Sequence, residues 1–145
     1  ETPASEYVDV LGKFLPESAT PEGGIFAFRN PDLAGGGGEA ADQWLALVDA
    51  GDFESSWGGA SSLIQKAVSA SELDQQITAA RGLLGKFISR KVVSATFRRS
   101  LPGVPDGQYV VIEYRSVYEK KQAAVETVTP MVEDGEWKVS GYYIR

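Results

Sequence analysis

The sequence lacks two residue types on which many enzymes depend. Among its 145 residues there is no cysteine and no histidine. Without cysteine the chain has no disulfide framework, no thiol nucleophile and no zinc–thiolate site. Without histidine it has no Ser-His-Asp catalysis and no side chain whose unperturbed pKa lies near neutrality. These absences exclude several common enzyme classes, and neither a metal nor a cofactor is expected.

Long apolar runs and positive charge are also scarce. No apolar run is long enough to span a bilayer, so an integral membrane protein is not expected. The chain has 14 basic and 20 acidic side chains, a net charge of −6, and so lacks the basic footprint of a nucleic-acid-binding protein. A chain that begins at Glu1 fits either a processed export product or an engineered start, and the absence of cysteine suits an oxidising compartment. The expected localisation is therefore periplasmic or secreted.

Four consecutive glycines, Gly35–Gly38, divide the chain and predict a flexible link. The residues up to that point, 1–38, carry six acids and two bases, a net charge of −4. We expect them to form an acidic arm containing proline and glycine, and residues 39–145 to form a single domain. The apolar residues 25–28 of the arm are costly to leave in water. The arm is therefore also a candidate docking segment, which would make the protein an assembly protein, with a homodimer as one form.

Beyond the glycines, the pattern predicts helices first and strands afterwards. Residues 39–50 place apolar side chains at helical spacing, and Ser69 with Glu72 has the spacing of a capping box. From residue 87 the apolar period is two, which predicts strands over 87–100, 108–119, 122–133 and 136–144. Asp134-Gly135 predicts a tight two-residue hairpin. The expected fold is α+β, with N-terminal helices packed on a four-stranded antiparallel meander sheet.

Several short segments together resemble one bacterial family. They are Ala41-Asp42-Gln43-Trp44, Leu101-Pro102-Gly103, Pro105-Asp106-Gly107 and Trp137-Lys138-Val139-Ser140-Gly141-Tyr142. In combination, over about residues 39–145, the chain resembles the family called domain of unknown function 4019. The resemblance implies small exported or envelope-associated proteins with a cystatin-like or nuclear-transport-factor-2-like cone. It implies no catalytic residues.

One segment at the start of the predicted sheet is strongly basic. Residues 86–99 carry five bases and no acid, whereas residues 39–85 carry a net charge of −5. One interpretation is a solvated strand that faces acidic helices. The alternative is a basic strip for anionic lipid heads, acidic glycans or an acidic partner. The strip consists of Lys86, Arg90, Lys91, Arg98 and Arg99.

Glu126 lies in an apolar part of the third predicted strand. The two-residue hairpin places it opposite Tyr143, and an unpaired carboxyl buried there would have a raised pKa. Its neighbour on the other side depends on the loop over 118–123. An even loop pairs Glu126 with Arg115 as a structural ion pair, which keeps the pKa low, and an odd loop pairs it with Tyr114. The even loop is favoured because no glycine is available for a bulged turn.

These patterns lead to three hypotheses about function. The leading one is a non-enzymatic binding or interaction module of the bacterial cell envelope, with a small apolar ligand or an envelope protein as its partner. The first alternative is a small acid–base enzyme, with Glu126, Tyr114 and Tyr143 in a cone-shaped pocket. The second is assembly through residues 1–38. Candidate ligand-binding residues, which also suit a packed core, are Trp44, Trp57, Tyr114 and Trp137.

Overall fold

The computed structural model describes residues 33–145, so most of the predicted arm lies outside the described residues. A π-helix, Leu33–Gly38, comes first. Four α-helices follow: α1 Glu39–Asp49, α2 Phe53–Gly58, α3 Ser62–Ala67 and α4 Ala70–Gly82. Four strands complete the domain: β1 Phe87–Arg98, β2 Tyr109–Tyr118, β3 Lys121–Glu133 and β4 Glu136–Ile144. No helix among residues 33–145 is long and apolar enough to cross a membrane.

The helices begin where the sequence provides caps. The Asp52 carboxylate accepts a hydrogen bond from the backbone N–H of Ser55 at the start of α2. Ser69 and Glu72 form the predicted capping box at the start of α4. Gly51 and Gly85 adopt φ values of +78° and +79°, which suit glycine, where the chain leaves α1 and α4.

The strands form one antiparallel sheet in the order β1-β2-β3-β4, which confirms the predicted meander. The helices cover one face of this sheet. Trp44 and Leu45 of α1, Ile64 of α3 and Ile77 of α4 are buried there against strand residues such as Ile112. This arrangement confirms the α+β fold.

The glycine run is part of a packed helical turn, where the sequence predicted a flexible link. Gly37 is buried, and a methyl group added to it would lie 3.2 Å from a γ-carbon of Val110. A methyl group on Gly36 would lie 2.2 Å from the Trp137 Nε1. Only a residue without a side chain allows the backbone to approach the sheet this closely.

The β3–β4 hairpin has the predicted turn but not the predicted register throughout. Asp134 and Gly135 have φ values of 54° and 79°, and Val132 pairs with Trp137 as expected. A β-bulge then leaves Ser140 without an opposite residue on β3, because Thr129 pairs with Gly141 and Pro130 with Val139.

The cause of this bulge is chemical, because proline has no N–H to donate to the ladder. The Ser140 hydroxyl donates to the Thr129 carbonyl instead, at 2.7 Å. Beyond the bulge, Glu126 pairs with Ile144. The predicted Glu126–Tyr143 pair is therefore wrong.

The β2–β3 connection also contains a bulge, between Ser116 and Tyr118. It places Tyr114 opposite Glu126 and Arg115 opposite Val125, so the favoured Arg115–Glu126 pair is wrong and the alternative register is present. A bulge inside the ladder does not need the glycine that a bulged turn would use. This register places apolar and aromatic side chains of β2 on the helix-covered face, where burial stabilises them.

Candidate functional site

Glu126 is the centre of a buried polar cluster between α4 and the sheet. Its side chain is fully buried. The Oε1 atom accepts hydrogen bonds from the Arg90 Nε at 3.0 Å, from an Arg90 terminal nitrogen at 2.7 Å and from the Ser116 hydroxyl. The Oε2 atom accepts from Arg81 at 3.0 Å, from the Tyr118 hydroxyl at 2.9 Å and from the Tyr142 hydroxyl. Both carboxylate oxygens are therefore saturated with donors.

A second carboxylate, Asp49 at the end of α1, closes the cluster on the solvent side. It accepts from Arg81 at 2.7 Å and from Arg90 at 2.6 Å. The side chains of Asp49, Arg81 and Arg90 are 20%, 13% and 12% exposed. Two arginines are thus balanced by two carboxylates. We call these four residues, Asp49, Arg81, Arg90 and Glu126, the ionic cluster. It connects α1, α4, β1 and β3.

The ionic cluster keeps Glu126 ionised. Burial by itself raises the pKa of this carboxyl, but Arg90, Arg81 and the hydroxyls of Ser116 and Tyr142 outweigh burial, so its pKa lies below the ordinary value. The tyrosine hydroxyls respond in the opposite way. Burial, together with the adjacent Glu126 charge, raises the pKa of Tyr142 well above its ordinary value, so this hydroxyl is a permanent donor.

Only part of the predicted catalytic set comes together. Tyr114 lies opposite Glu126 on β2, but its hydroxyl donates to Asp42 of α1 at 3.0 Å. Tyr143 pairs with Thr127, so it lies on the opposite face of the sheet from Glu126. The tyrosine hydroxyls that donate to Glu126 are those of Tyr118 and Tyr142 instead.

The candidate ligand-binding tryptophans lie in different surroundings. Trp44 is 4% exposed in the core and stacks at an angle on Tyr142, with ring centroids 5.2 Å apart. Trp57 is half-buried, and its indole N–H donates to the Val68 carbonyl at 2.8 Å. Trp137 is half-buried beside a surface cleft of about 580 Å³ that Glu39, Gln43 and Lys138 also line. Trp44 and Trp137 also line a smaller cavity of about 120 Å³, whereas Trp57 does not.

The predicted basic strip is divided between two environments. Arg90 points into the ionic cluster. Lys86, Lys91 and Arg99 are exposed, and Arg98 is half-buried. The register of β1 and β2 places Lys91 directly opposite Arg115. The basic surface therefore consists of the other four residues of the strip together with Arg115.

Sequence reasoning missed Arg81 and Asp49. Both continue apolar rows at a spacing of four, Leu73–Ile77–Arg81 on α4 and Ala41–Leu45–Asp49 on α1. Residues four apart share one helix face. Charged residues at the ends of buried rows were therefore a signal for this pair.

The acidic side chains of the described domain are its possible metal ligands. In the described range 33–145 no group of three or more potential metal ligands comes together. The two carboxylates of the ionic cluster, Asp49 and Glu126, are each paired with both arginines.

Comparison with known proteins identifies the family. The model of the family described as protein of unknown function (DUF4019) matches residues 40–142. The chain belongs to the DUF4019 family. This confirms the family that the sequence resembles, and it is a family defined without a function.

Two curated relatives of this DUF4019 protein are similar over a short stretch. Over 47 residues the chain is 45% identical to the histidine–tRNA ligase of Bradyrhizobium diazoefficiens, which covers 32% of this chain and 8% of the ligase. It is 49% identical over 47 residues to that of Paracoccus denitrificans, which covers 32% of this chain and 9% of the ligase. The chain thus spans less than a tenth of the length of these ligases. No solved structure matches.

Proposed function

We propose that this DUF4019 protein is a non-enzymatic interaction module of the bacterial cell envelope that recognises a protein partner through its surface. The observation that carries the proposal is the saturation of Glu126. An acid–base catalyst needs a carboxyl that can exchange a proton with a substrate. Glu126 is fully buried and accepts hydrogen bonds from two arginines and three hydroxyls. It functions best as a structural anion.

The packing between helices and sheet supports surface recognition over an internal ligand. Tyr114, Tyr118 and Tyr142 are each 1% exposed and occupy the space that an open cone would leave for a small apolar molecule. The largest side chains around them belong to the same core cluster. Recognition then depends on the outside of the domain, where large apolar side chains are exposed: Leu83, Ile88 and Val93.

The envelope location rests on chemistry alone. A protein without cysteine has no thiol to oxidise, which suits an oxidising compartment. Fractionation of the cells that produce the protein naturally tests this part, with an excess in the periplasmic or secreted fraction expected. A purely cytosolic signal would contradict it.

Site-specific photo-crosslinking tests the interaction itself. A photoreactive residue is placed at Leu83, Ile88 or Val93, and as a control at Glu54, an exposed position of α2. We expect a discrete protein adduct from at least one apolar position and none from Glu54. Adducts absent from all three apolar positions would contradict the proposal, and mass spectrometry of the adduct identifies the partner.

A further inference from the structure

The loop between α4 and β1 lies beside the turn between β2 and β3 at one end of the domain. Two backbone hydrogen bonds of 2.8 Å join them, one of which runs from the Lys120 N–H to the Leu84 carbonyl. Two connections that are far apart in sequence are therefore fixed next to each other. We call residues 83–91 together with residues 115–120 the basic tip, because of the charges described below.

Two large apolar side chains of the basic tip are exposed to solvent. Leu83, which follows the last residue of α4, is 80% exposed, and Ile88, near the start of β1, is 60% exposed. Ile88 is the extra residue of a β-bulge between Phe87 and Ser89, so it has no opposite residue on β2. Both side chains are therefore accessible to a surface that approaches this end of the domain.

Basic side chains accompany these two apolar residues. Residues 83–91 contain no acid, and Arg90 is directed into the ionic cluster. The exposed charged side chains of the basic tip are four bases and one acid, a net charge of +3: Lys86, Lys91, Arg115, Lys120 and Glu119. The chain as a whole carries a net charge of −6, so this excess of positive charge is local.

One pair of bases in the basic tip is unfavourable as it stands. Lys91 of β1 lies directly opposite Arg115 of β2, and both residues are exposed. Like charges directly opposite each other destabilise an antiparallel pair of strands. An anion bound between them would remove this repulsion. The register of β1 and β2 therefore favours an anionic ligand at this position.

The opposite end of the sheet is acidic. The β3–β4 hairpin, which lies at the other end of β3 from the β2–β3 turn, carries Glu133, Asp134 and Glu136. A negatively charged surface repels this hairpin and attracts the basic tip. The distribution of charge therefore orients the domain with the basic tip towards such a surface.

We propose that the basic tip binds the surface of a membrane that contains anionic lipids. Three of its four exposed bases are lysines and its exposed apolar residues are aliphatic, whereas the cores of protein interfaces are enriched in aromatic residues and arginine and depleted in lysine. Aliphatic side chains beside lysines are typical of segments that lie in a membrane interface. Leu83 and Ile88 would enter the headgroup region, and the bases would contact lipid phosphates.

This inference goes beyond the proposed function, because it adds a lipid surface to the protein partner. Val93, the third exposed apolar residue, lies farther along β1 and outside the basic tip. It remains accessible to a protein while the basic tip is on the membrane.

Co-sedimentation of the full chain with lipid vesicles tests the inference. One set of vesicles is phosphatidylcholine alone, and the other contains equal parts of phosphatidylcholine and phosphatidylglycerol. We expect binding to the mixed vesicles only, and weaker binding as the salt concentration rises. Equal binding to both sets, or no binding to the mixed vesicles, would overturn the inference.

Two pairs of variants locate the binding surface. Lys86→Gln with Lys120→Gln should weaken binding about fivefold for each lysine, whereas Lys66→Gln with Arg99→Gln makes the same change in net charge outside the basic tip and should match wild type.

The second pair of variants concerns the apolar residues. Leu83→Ser with Ile88→Ser should weaken binding about tenfold, whereas Val93→Ser should leave it unchanged. All these residues are exposed, so the urea midpoints should stay near that of wild type. Equal losses in the tip variants and their controls would overturn the inference, because binding would then follow net charge alone.

The vesicle assay is independent of the photo-crosslinking that tests the proposed function. A protein adduct at Leu83 or Ile88 without any vesicle binding would overturn the lipid inference and still support a protein partner. Vesicle binding without any protein adduct would contradict the proposed function and support the lipid inference. The two failures are therefore distinguishable.

Discussion

Replacing Glu126 with glutamine tests the central claim that this carboxylate is a structural anion. Glutamine has nearly the same shape, so no cavity forms, and the loss reflects charge and hydrogen bonding. The variant leaves Arg81 and Arg90, which are 13% and 12% exposed, with Asp49 as their remaining carboxylate in the cluster. Removing one partner of a buried ion pair costs about 3–5 kcal/mol. The individual hydrogen bonds are not added to this figure, because contacts within one network are not additive.

The assay is urea unfolding followed by tryptophan fluorescence, with Glu136→Gln as the matched control. Glu136 is exposed at the hairpin, so its substitution should change the free energy of unfolding by less than about 0.5 kcal/mol. A loss below about 1 kcal/mol for Glu126→Gln would refute the reasoning, because it would mean that the arginines do not need this charge.

The difference in unfolding free energy between wild type and the Glu126→Gln variant should depend on pH. The pKa of Glu126 is lowered in the folded state, whereas an unfolded glutamate titrates near about 4.3. As the pH falls below that value the unfolded chain takes up the proton first, so the wild type loses stability and the variant does not. At pH 3.5 the difference between them should shrink by about 1 kcal/mol if the folded carboxyl is still ionised. A difference that stays constant from pH 7 to 3.5 would contradict the assigned ion pairs.

Three further predictions use the same unfolding measurement. Trp44→Ala should cost about 3–5 kcal/mol because the ring is in the core, whereas half-buried Trp137→Ala should cost about 1–2 kcal/mol; the reverse order would contradict the packing. Gly36→Ala should cost about 1–3 kcal/mol, because its methyl group would overlap the Trp137 indole, whereas Gly58→Ala meets no atom within 4 Å and should be neutral or stabilising. Ser69→Ala removes half of the capping box and should cost about 1 kcal/mol, so an unchanged midpoint would show that the box is dispensable.

Local signals in the sequence determined where the helices, strands and turns of this protein lie. The capping box at Ser69, the cap at Asp52 and the hairpin at Asp134-Gly135 all depend on residues within a few positions of one another. Alternating apolar residues were enough to predict four strands and their meander order. These features follow from short-range hydrogen bonding and backbone preference, which the sequence shows directly.

The strand registers were only partly determined by the sequence. The turn fixed the first pairs of the β3–β4 hairpin, such as Val132 with Trp137, but the bulge beside Pro130 moved Ile144 into the position opposite Glu126 that was expected for Tyr143. One unpaired residue changes which face every later side chain occupies. Pro130 could have indicated this bulge, because it cannot donate to the ladder.

Only the tertiary structure decided what surrounds Glu126. The sequence singled out this residue as unusual and predicted that a basic partner would keep its pKa low, but it named Arg115. Arg81 and Arg90 occupy that place, and they come from α4 and β1, 45 and 36 positions away. Periodicity shows which face a residue shares within its own element, but the helices' placement on the sheet determines which distant charges meet. Burial makes that meeting decisive, because a carboxylate removed from water needs its counter-charges within contact distance.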